Sequence, residues 1–324
     1  MSLAPYALPV AKELEEVEKI LSATLTSEVS LVTQVVQYII QNGGKRFRPL
    51  LTLLAAKISG CQNGAAPRLA AAMEMIHTAS LLHDDVVDDA GLRRGKPSAK
   101  AKWGNSVSIL VGDFFWCKMS EIVINHGCLR TLKVVTDTIT KTTEAEILEI
   151  TRHSDLAVDE ETYLKIIRGK TAVLLSACCQ IGAILGGVSE NYEEGLKRYG
   201  QDLGIAFQLT DDILDYVAEE ASFGKHKGGD LREGKLTFPL IVALKNADRE
   251  ESKLIKDALL AGHIEGEKFK AILEIIERYN GIEKTRELAR VYVARAKSHL
   301  DGFKPSLEKE SLTGLADYAI IRDE

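Results

Sequence analysis

Residues 81–90 read LLHDDVVDDA, and residues 208–216 read QLTDDILDY. Each stretch contains D-D-x-x-D: Asp84, Asp85 and Asp88 in the first, Asp211, Asp212 and Asp215 in the second, with Asp89 an addition to the first. Both lie in apolar sequence, where clustered like charges are costly unless something cationic neutralises them. A divalent metal that in turn carries a phosphate is such a partner. On helices, residues four apart share a face. Asp84 and Asp88 then project together, as do Asp211 and Asp215, with Asp85 and Asp212 at the flanks. Two such helices facing one another make a mouth walled by carboxylates, hard oxygen ligands that suit Mg²⁺. One copy of the pattern reads as well as a solvated helix face. Two copies, each flanked by Leu, Val or Ile, do not.

The periodicity around both clusters is helical. Val10, Leu14, Val17 and Leu21 recur at three- and four-residue spacing, and residues 65–83, 105–124, 130–150, 190–217 and 282–300 carry similar stripes. Prolines stand at 5, 9, 49, 67, 97, 239 and 305, which leaves 98–238 free for long unbroken helices. Pro49 and Pro67 fit helix starts. Breaks come at Asn42-Gly43-Gly44, Gly60–Gly64, Arg93–Pro97, Gly186-Gly187 and Phe223–Gly234. No sustained alternation marks a strand. The expectation is all-α: one large helical bundle domain over 1–324, of ten or more helices around a central cavity. Thr171–Val188 (TAVLLSACCQIGAILGGV) is uncharged for about the length of a membrane span. Its Ser176, Gln180 and glycines make it a core helix, so no transmembrane segment is expected.

Composition narrows the function. The chain has 324 residues, 45% hydrophobic and 27% charged, with a net charge of −6. Removing the seven aspartates of the two clusters from that net of −6 leaves +1, so the acidity is local. A nucleic-acid partner, which calls for a basic excess, is not expected. The five cysteines show no C-x-x-C spacing, which suggests neither a disulfide framework nor a zinc site and fits a reducing, cytoplasmic setting. The N-terminal MSLAPYALPVAKELEE turns acidic before any long apolar run, unlike a signal peptide.

Cations sit beside both clusters. Gly43-Gly44-Lys45-Arg46-Phe47-Arg48-Pro49 is a glycine hinge, three cations and a proline that opens a helix, a ready anion site. Arg93 and Arg94 follow the first cluster, Lys170 and Thr171 precede the apolar helix, and Lys225 and Lys235 lie in the glycine-rich loop after the second cluster. Residues 229–235 (GDLREGK) match G-x-x-x-x-G-K, but Leu236 replaces the Ser or Thr and no strand precedes it, so it is not a P-loop. Glu74–His77 is a single E-x-x-H where a di-iron bundle needs two.

Together these residues closely resemble the trans-isoprenyl diphosphate synthases, or polyprenyl synthetases. The match runs in order through GGKRFRP (43–49), EMIHTASLLHDDVVDDAGLRRGKPSA (74–99), LVGDF (110–114), RGKTA (168–172), GIAFQLTDDILD (204–215), the GK of FGKHKGGD (223–230) and EGKLTFPL (233–240). It covers nearly the whole chain. The resemblance implies head-to-tail (1′-4) condensation of isopentenyl diphosphate with an allylic diphosphate, dependence on about three Mg²⁺ per site, and a homodimer. It implies that Asp84, Asp85 and Asp88 hold two Mg²⁺ on the allylic diphosphate. Asp211 would hold a third, with Asp212 and Asp215 supporting its water shell. Lys45, Arg48, His77 and Arg94 would bind isopentenyl diphosphate. Arg93, Lys170, Lys225 and Lys235 would bind the allylic diphosphate, and Thr171 and Gln208 would line the reacting carbons.

Product length turns on what lies behind the first cluster. Ser80 and Ala79 stand four and five residues before Asp84, one turn deeper on the same helix, and both are small. In the family that this chain resembles, aromatic residues at these positions accompany short products. A long all-trans product of about forty carbons is therefore expected, of the octaprenyl or heptaprenyl type, from farnesyl or geranylgeranyl diphosphate as starter. The alternatives are a short-chain farnesyl or geranylgeranyl synthase, or the catalytic subunit of a two-component long-chain enzyme.

Overall fold

The structure is a computed structural model and describes residues 3–217, 228–261, 264 and 266–321. Helix dominates. Those of seven residues or more are α1 (Ala11–Thr24), α2 (Ser30–Gln41), α3 (Phe47–Ile58), α4 (Ala65–Val87), α5 (Asn105–His126), α6 (Leu129–Thr151), α7 (Glu160–Ile167), α8 (Val173–Gly186), α9 (Glu190–Val217), α10 (Phe238–Leu244), α11 (Arg249–Ala261), α12 (Gly266–Arg278), α13 (Gly281–Ser298) and α14 (Leu307–Ile321). The all-α expectation holds. The strand structure among the described residues is one two-residue ribbon, Leu92–Arg93 paired antiparallel with Lys96–Pro97. It is too short to leave a periodicity signal. Its turn residues Arg94 and Gly95 both have positive φ (54° and 72°), as a type I′ hairpin turn requires.

Helix ends follow local chemistry. Pro49 and Pro67 fall in the first turns of α3 and α4, where a missing N–H costs nothing. Asp159 caps α7 by accepting from the Thr162 amide at 2.8 Å. At the end of α4, the Ala90 amide donates to the Asp85 carbonyl and the Asp89 amide to the Val86 carbonyl, with Asp89 left-handed at φ 54°. That is a Schellman closure, and Asp is among the few non-glycine residues that tolerate the conformation.

The chain forms two compact units. The first comprises Met1–Ile139, Leu174–Gly200 and His299–Leu315; the second comprises Thr140–Val173, Gln201–Ser298 and Ala316–Glu324. In the first, α4 packs against α5, α3 and α1. Leu50, Leu51, Leu53 and Leu54 of α3, Met73 and Met75 of α4, and Cys178, Cys179 and Ile181 of α8 form its core. Gly182 lets α8 lie directly on α3, since a Cβ there would fall 2.5 Å from the Ala56 nitrogen. In the second unit, α10 packs against α12 and α13.

Among the described residues, one helical run, Glu160–Gly186, is long and apolar enough to cross a bilayer, yet 56% of its most apolar window is buried inside the protein. Residues 174–179 and 181–183 are all buried, as a core helix requires.

Candidate active site

The first aspartate cluster occupies the last turn of α4. Asp88 caps the helix and its amide donates to the Asp84 carbonyl at 2.8 Å, which sets the two residues one turn apart. Asp84 and Asp88 are half-buried, while Asp85 is 3% exposed. The ribbon after α4 folds Arg93 back onto Asp85, with Nε and Nη2 at 2.8 and 2.6 Å from Oδ1. A buried carboxylate thus carries its own counter-cation. Asp89 points elsewhere, pairing with Lys100. His83 packs edge-on against Trp116 at 4.8 Å and over Gly112, where any Cβ would fall 2.4 Å from its Nε2. The glycine of LVGDF is there to make room for it.

The expected isopentenyl diphosphate residues gather in the first unit. Lys45 is exposed at the start of α3, and the guanidiniums of Arg94 and Arg46 lie over Gly44. His77 is held neutral, its pKa pushed well down by burial first and then by Arg48, Arg94, Arg93 and Arg46. A neutral imidazole beside the guanidiniums of Arg48, Arg93 and Arg94 is an arrangement that a polyanion would suit. Arg46, the middle cation of the loop, instead turns to Glu18 and Glu74.

The second cluster lies near the end of α9. Asp212 is 2% exposed. Its Oδ2 accepts from the Tyr163 hydroxyl at 2.5 Å and its Oδ1 from Gln208 Nε2 at 2.9 Å. Gln208 Oε1 in turn accepts from the Thr171 hydroxyl at 2.8 Å. The chain Thr171–Gln208–Asp212–Tyr163 thus joins three residues singled out in the sequence to one that was not. Burial pushes the Asp212 carboxyl up to about 7 against the pull of those donors. Asp215 accepts from the amides of Gly229 and Asp230, each at 3.1 Å, which fixes the start of the short helix Gly229–Arg232.

Lys170 and Thr171 sit on a π-helical turn, Arg168–Ala172, between α7 and α8. Such turns bulge a helix and frequently mark functional sites. Lys170 bonds Glu146 at 2.8 Å and Glu149 at 2.6 Å. Burial alone would lower its pKa, but the two carboxylates hold it above the ordinary lysine value, while the charge of Lys235 opposes it. Lys235 pairs with Glu233 at 2.7 Å. Lys225 lies outside the described residues.

The polyprenyl synthetase family model matches residues 29–276. This chain belongs to the polyprenyl synthetase family. Octaprenyl diphosphate synthase of Escherichia coli (strain K12) is 38% identical over 316 residues, 97% of each chain. A short chain isoprenyl diphosphate synthase of Methanothermobacter thermautotrophicus is also 38% identical, over 292 residues and 89% of each chain. The crystal structure of polyprenyl synthase from Caulobacter crescentus CB15, complexed with calcium and isoprenyl diphosphate, superposes with a TM-score of 0.95 at 36% identity, covering 100% of this chain and 98% of that one. As a member of the family the protein is an enzyme, a trans-prenyltransferase, with the all-α isoprenoid synthase fold. The calcium in that relative is consistent with divalent-metal use in the family.

The carboxylates suit a metal shared with substrate rather than a closed protein cage. Among the described residues no three His, Cys, Asp or Glu side chains converge tightly enough to hold an ion alone. Mg²⁺ does not need three; it keeps waters and binds through one or two carboxylates plus phosphate oxygens. Of the two sets, Asp84, Asp88, Asp211 and Asp215 are half-buried, and Asp85 and Asp212 are buried. Asp85, Asp212 and Asp215 are already engaged by Arg93, by Tyr163 and Gln208, and by backbone amides. For Asp212 and Asp215 that arrangement suits the supporting role implied by the resemblance.

Behind the first cluster, Ala79 is fully buried, while Ser80 is half-buried with its hydroxyl donating to the His77 carbonyl at 2.9 Å. Met73, Ile76, Phe115 and Met119 are buried on the packed pair α4 and α5.

Proposed function

We propose that the enzyme condenses isopentenyl diphosphate head-to-tail with an allylic diphosphate and extends it to a long all-trans polyprenyl diphosphate of about forty carbons. The starter is farnesyl or geranylgeranyl diphosphate. The short-chain relative has the same 38% identity as the octaprenyl relative, though over 89% rather than 97% of this chain, so identity alone does not rank product length. The observation that carries the long-chain reading is the small, fully buried Ala79 five residues behind Asp84. An aromatic side chain at that depth would block a growing tail near its start.

Mg²⁺, about three per site, would supply charge neutralisation of the departing diphosphate. Asp84, Asp85 and Asp88 would hold two of them on the allylic diphosphate and Asp211 a third, with Asp212 and Asp215 supporting its water shell. Lys170, Arg93, Lys225 and Lys235 grip the allylic diphosphate. Lys45, Arg48, His77 and Arg94 hold isopentenyl diphosphate. Thr171 and Gln208 face the reacting carbons. No side chain acts as nucleophile, because the alkene does. The protein's part is to hold the two substrates together, to meet developing negative charge with fixed cations, and to keep water from the allylic cation.

The chain works as a single catalytic domain and a homodimer in the cytoplasm. Exposed Ile109, Leu110 and Ile124 on α5 support the dimer. Product chromatography with purified enzyme, Mg²⁺, radiolabelled isopentenyl diphosphate and farnesyl diphosphate tests the reading. Ala79→Phe is expected to shorten the product, and an unchanged length would refute the role of Ala79. Products that stop at fifteen or twenty carbons in the wild type would favour the short-chain alternative. No product until a second component is added would favour the two-component alternative.

A further inference from the structure

The loop Gly43–Pro49 offers three cations in four positions, and the structure diverts one of them. Arg46 adopts left-handed backbone at φ 51°. A residue with a side chain stays there only when its surroundings hold it. The hold is visible. Arg46 Nε and Nη2 lie 2.5 and 3.1 Å from the two carboxylate oxygens of Glu18, and Nη1 lies 3.2 Å from Oε1 of Glu74. Glu74 is 5% exposed, one turn before His77 on α4. Glu18 comes from α1, ahead of the span 29–276 that the family model matches. On this side the loop borders a groove open to solvent, about 460 Å³, with Lys45, Arg46, Glu18, Leu14 and Leu50 among its walls.

We infer that the Glu18–Arg46–Glu74 bridge is a positioning device for the isopentenyl diphosphate subsite. Arg46 touches no substrate. It pins the loop between α1 and α4, so that Lys45 on one side and Arg48 on the other are aimed before the anion arrives. Glu74 and Glu18 supply the counter-charge that keeps Arg46 out of the anion's way. A two-pronged guanidinium contact fixes direction as well as distance, which a lysine cannot do. The inference rests on the proposed assignment of Lys45, Arg48, His77 and Arg94 to isopentenyl diphosphate.

Steady-state kinetics with each substrate varied in turn provides the test. Glu18→Gln removes the charge and keeps the shape. Arg46→Lys keeps a charge beside Glu74 and loses the fork. Each is expected to raise KM for isopentenyl diphosphate about tenfold, the scale of a loop displaced by a fraction of an ångström. KM for farnesyl diphosphate, kcat and the thermal midpoint should stay close to wild type. The double variant should be no worse than the poorer single variant, since both break one device. Lys45→Ala and Arg48→Ala separate the two layers of the claim. If neither raises KM for isopentenyl diphosphate, the subsite assignment itself is wrong. If they raise it while Glu18→Gln and Arg46→Lys do not, the positioning role is refuted. It is equally refuted if the bridge variants lower the thermal midpoint and weaken both substrates alike, which is the mark of a merely structural tie.

Discussion

The same five-residue pattern is solved in two different ways in this molecule. In the first cluster the middle aspartate, Asp85, is buried against the guanidinium of Arg93. In the second, its counterpart Asp212 is buried against neutral donors, Tyr163 and Gln208, and its carboxyl is pushed up to about 7. The first carboxylate has a full counter-charge beside it. Hydrogen bonds from uncharged groups do not repay burial in full, and burial together with the charge of Asp211 holds the other above the ordinary carboxylate range. Identical letters therefore do not mean identical electrostatics. The arrangement suits a first cluster whose buried member is neutralised within the protein and a second whose buried carboxylate gains when a cation arrives.

The outer aspartates provide the strongest way to break this comparison. Asp84→Ala and Asp211→Ala should each cut kcat/KM by about a thousandfold, as expected for losing a group that holds transition-state charge. Circular dichroism should show the helices retained. Near-wild-type activity in either variant would remove that cluster from the chemistry.

The middle aspartates sharpen it. Arg93→Gln takes away a charge, Tyr163→Phe only a donor, so the first should cost more, about a hundredfold against about tenfold. The Tyr163 bond lowers the Asp212 pKa. Its loss should therefore move the acid limb of the pH–rate profile upward. An acid limb that stays in place in Tyr163→Phe would erase the distinction drawn between the clusters.

His77 carries the comparison to a base. Its pKa in the folded protein is well below the ordinary value of 6.5. Below pH 6.5 the unfolded chain therefore binds a proton that the folded chain refuses, and stability falls with falling pH from 6.5 down to the depressed value. The slope is at most about 1.4 kcal/mol per pH unit. Thermal melts of substrate-free enzyme between pH 7 and 5 should show it, and His77→Gln should flatten it. An unchanged slope would mean that His77 is not held neutral.

The smallest expected effect concerns Asp89, which follows the first cluster without joining it. Asp89→Asn should be close to neutral in activity and stability, because Asn also tolerates left-handed backbone. Asp89→Ala should cost about 1 kcal/mol of stability and leave kcat intact. A large loss of activity in Asp89→Asn would return this residue to the site.

Much of the fold was legible because helices announce themselves within one segment. The stripe over 190–217 coincides with α9, and that over 105–124 falls two residues short of the end of α5. The aspartates and most of their cations were legible because they cluster along the chain. What escaped was chemistry made between segments distant in sequence. Tyr163 looks like an ordinary apolar position of α7, and nothing nearby signals that it meets Asp212. Glu146 and Glu149 read as the solvated face of α6, although they anchor Lys170. Arg93 was expected on a diphosphate, and its contact with Asp85 depends on a four-residue ribbon too short to leave a pattern. Arg46 looked like one more cation; its left-handed backbone and its ion pairs with Glu18 and Glu74 set it apart from Lys45 and Arg48.

The most direct test of the account is a magnesium titration of the purified enzyme, with labelled isopentenyl diphosphate, farnesyl diphosphate and chromatography of the products. The account predicts a ladder of prenyl diphosphates ending near forty carbons, abolished by chelation and restored by added Mg²⁺. Chain extension that persists undiminished in chelator, or no condensation with both substrates and excess Mg²⁺ present, would contradict it.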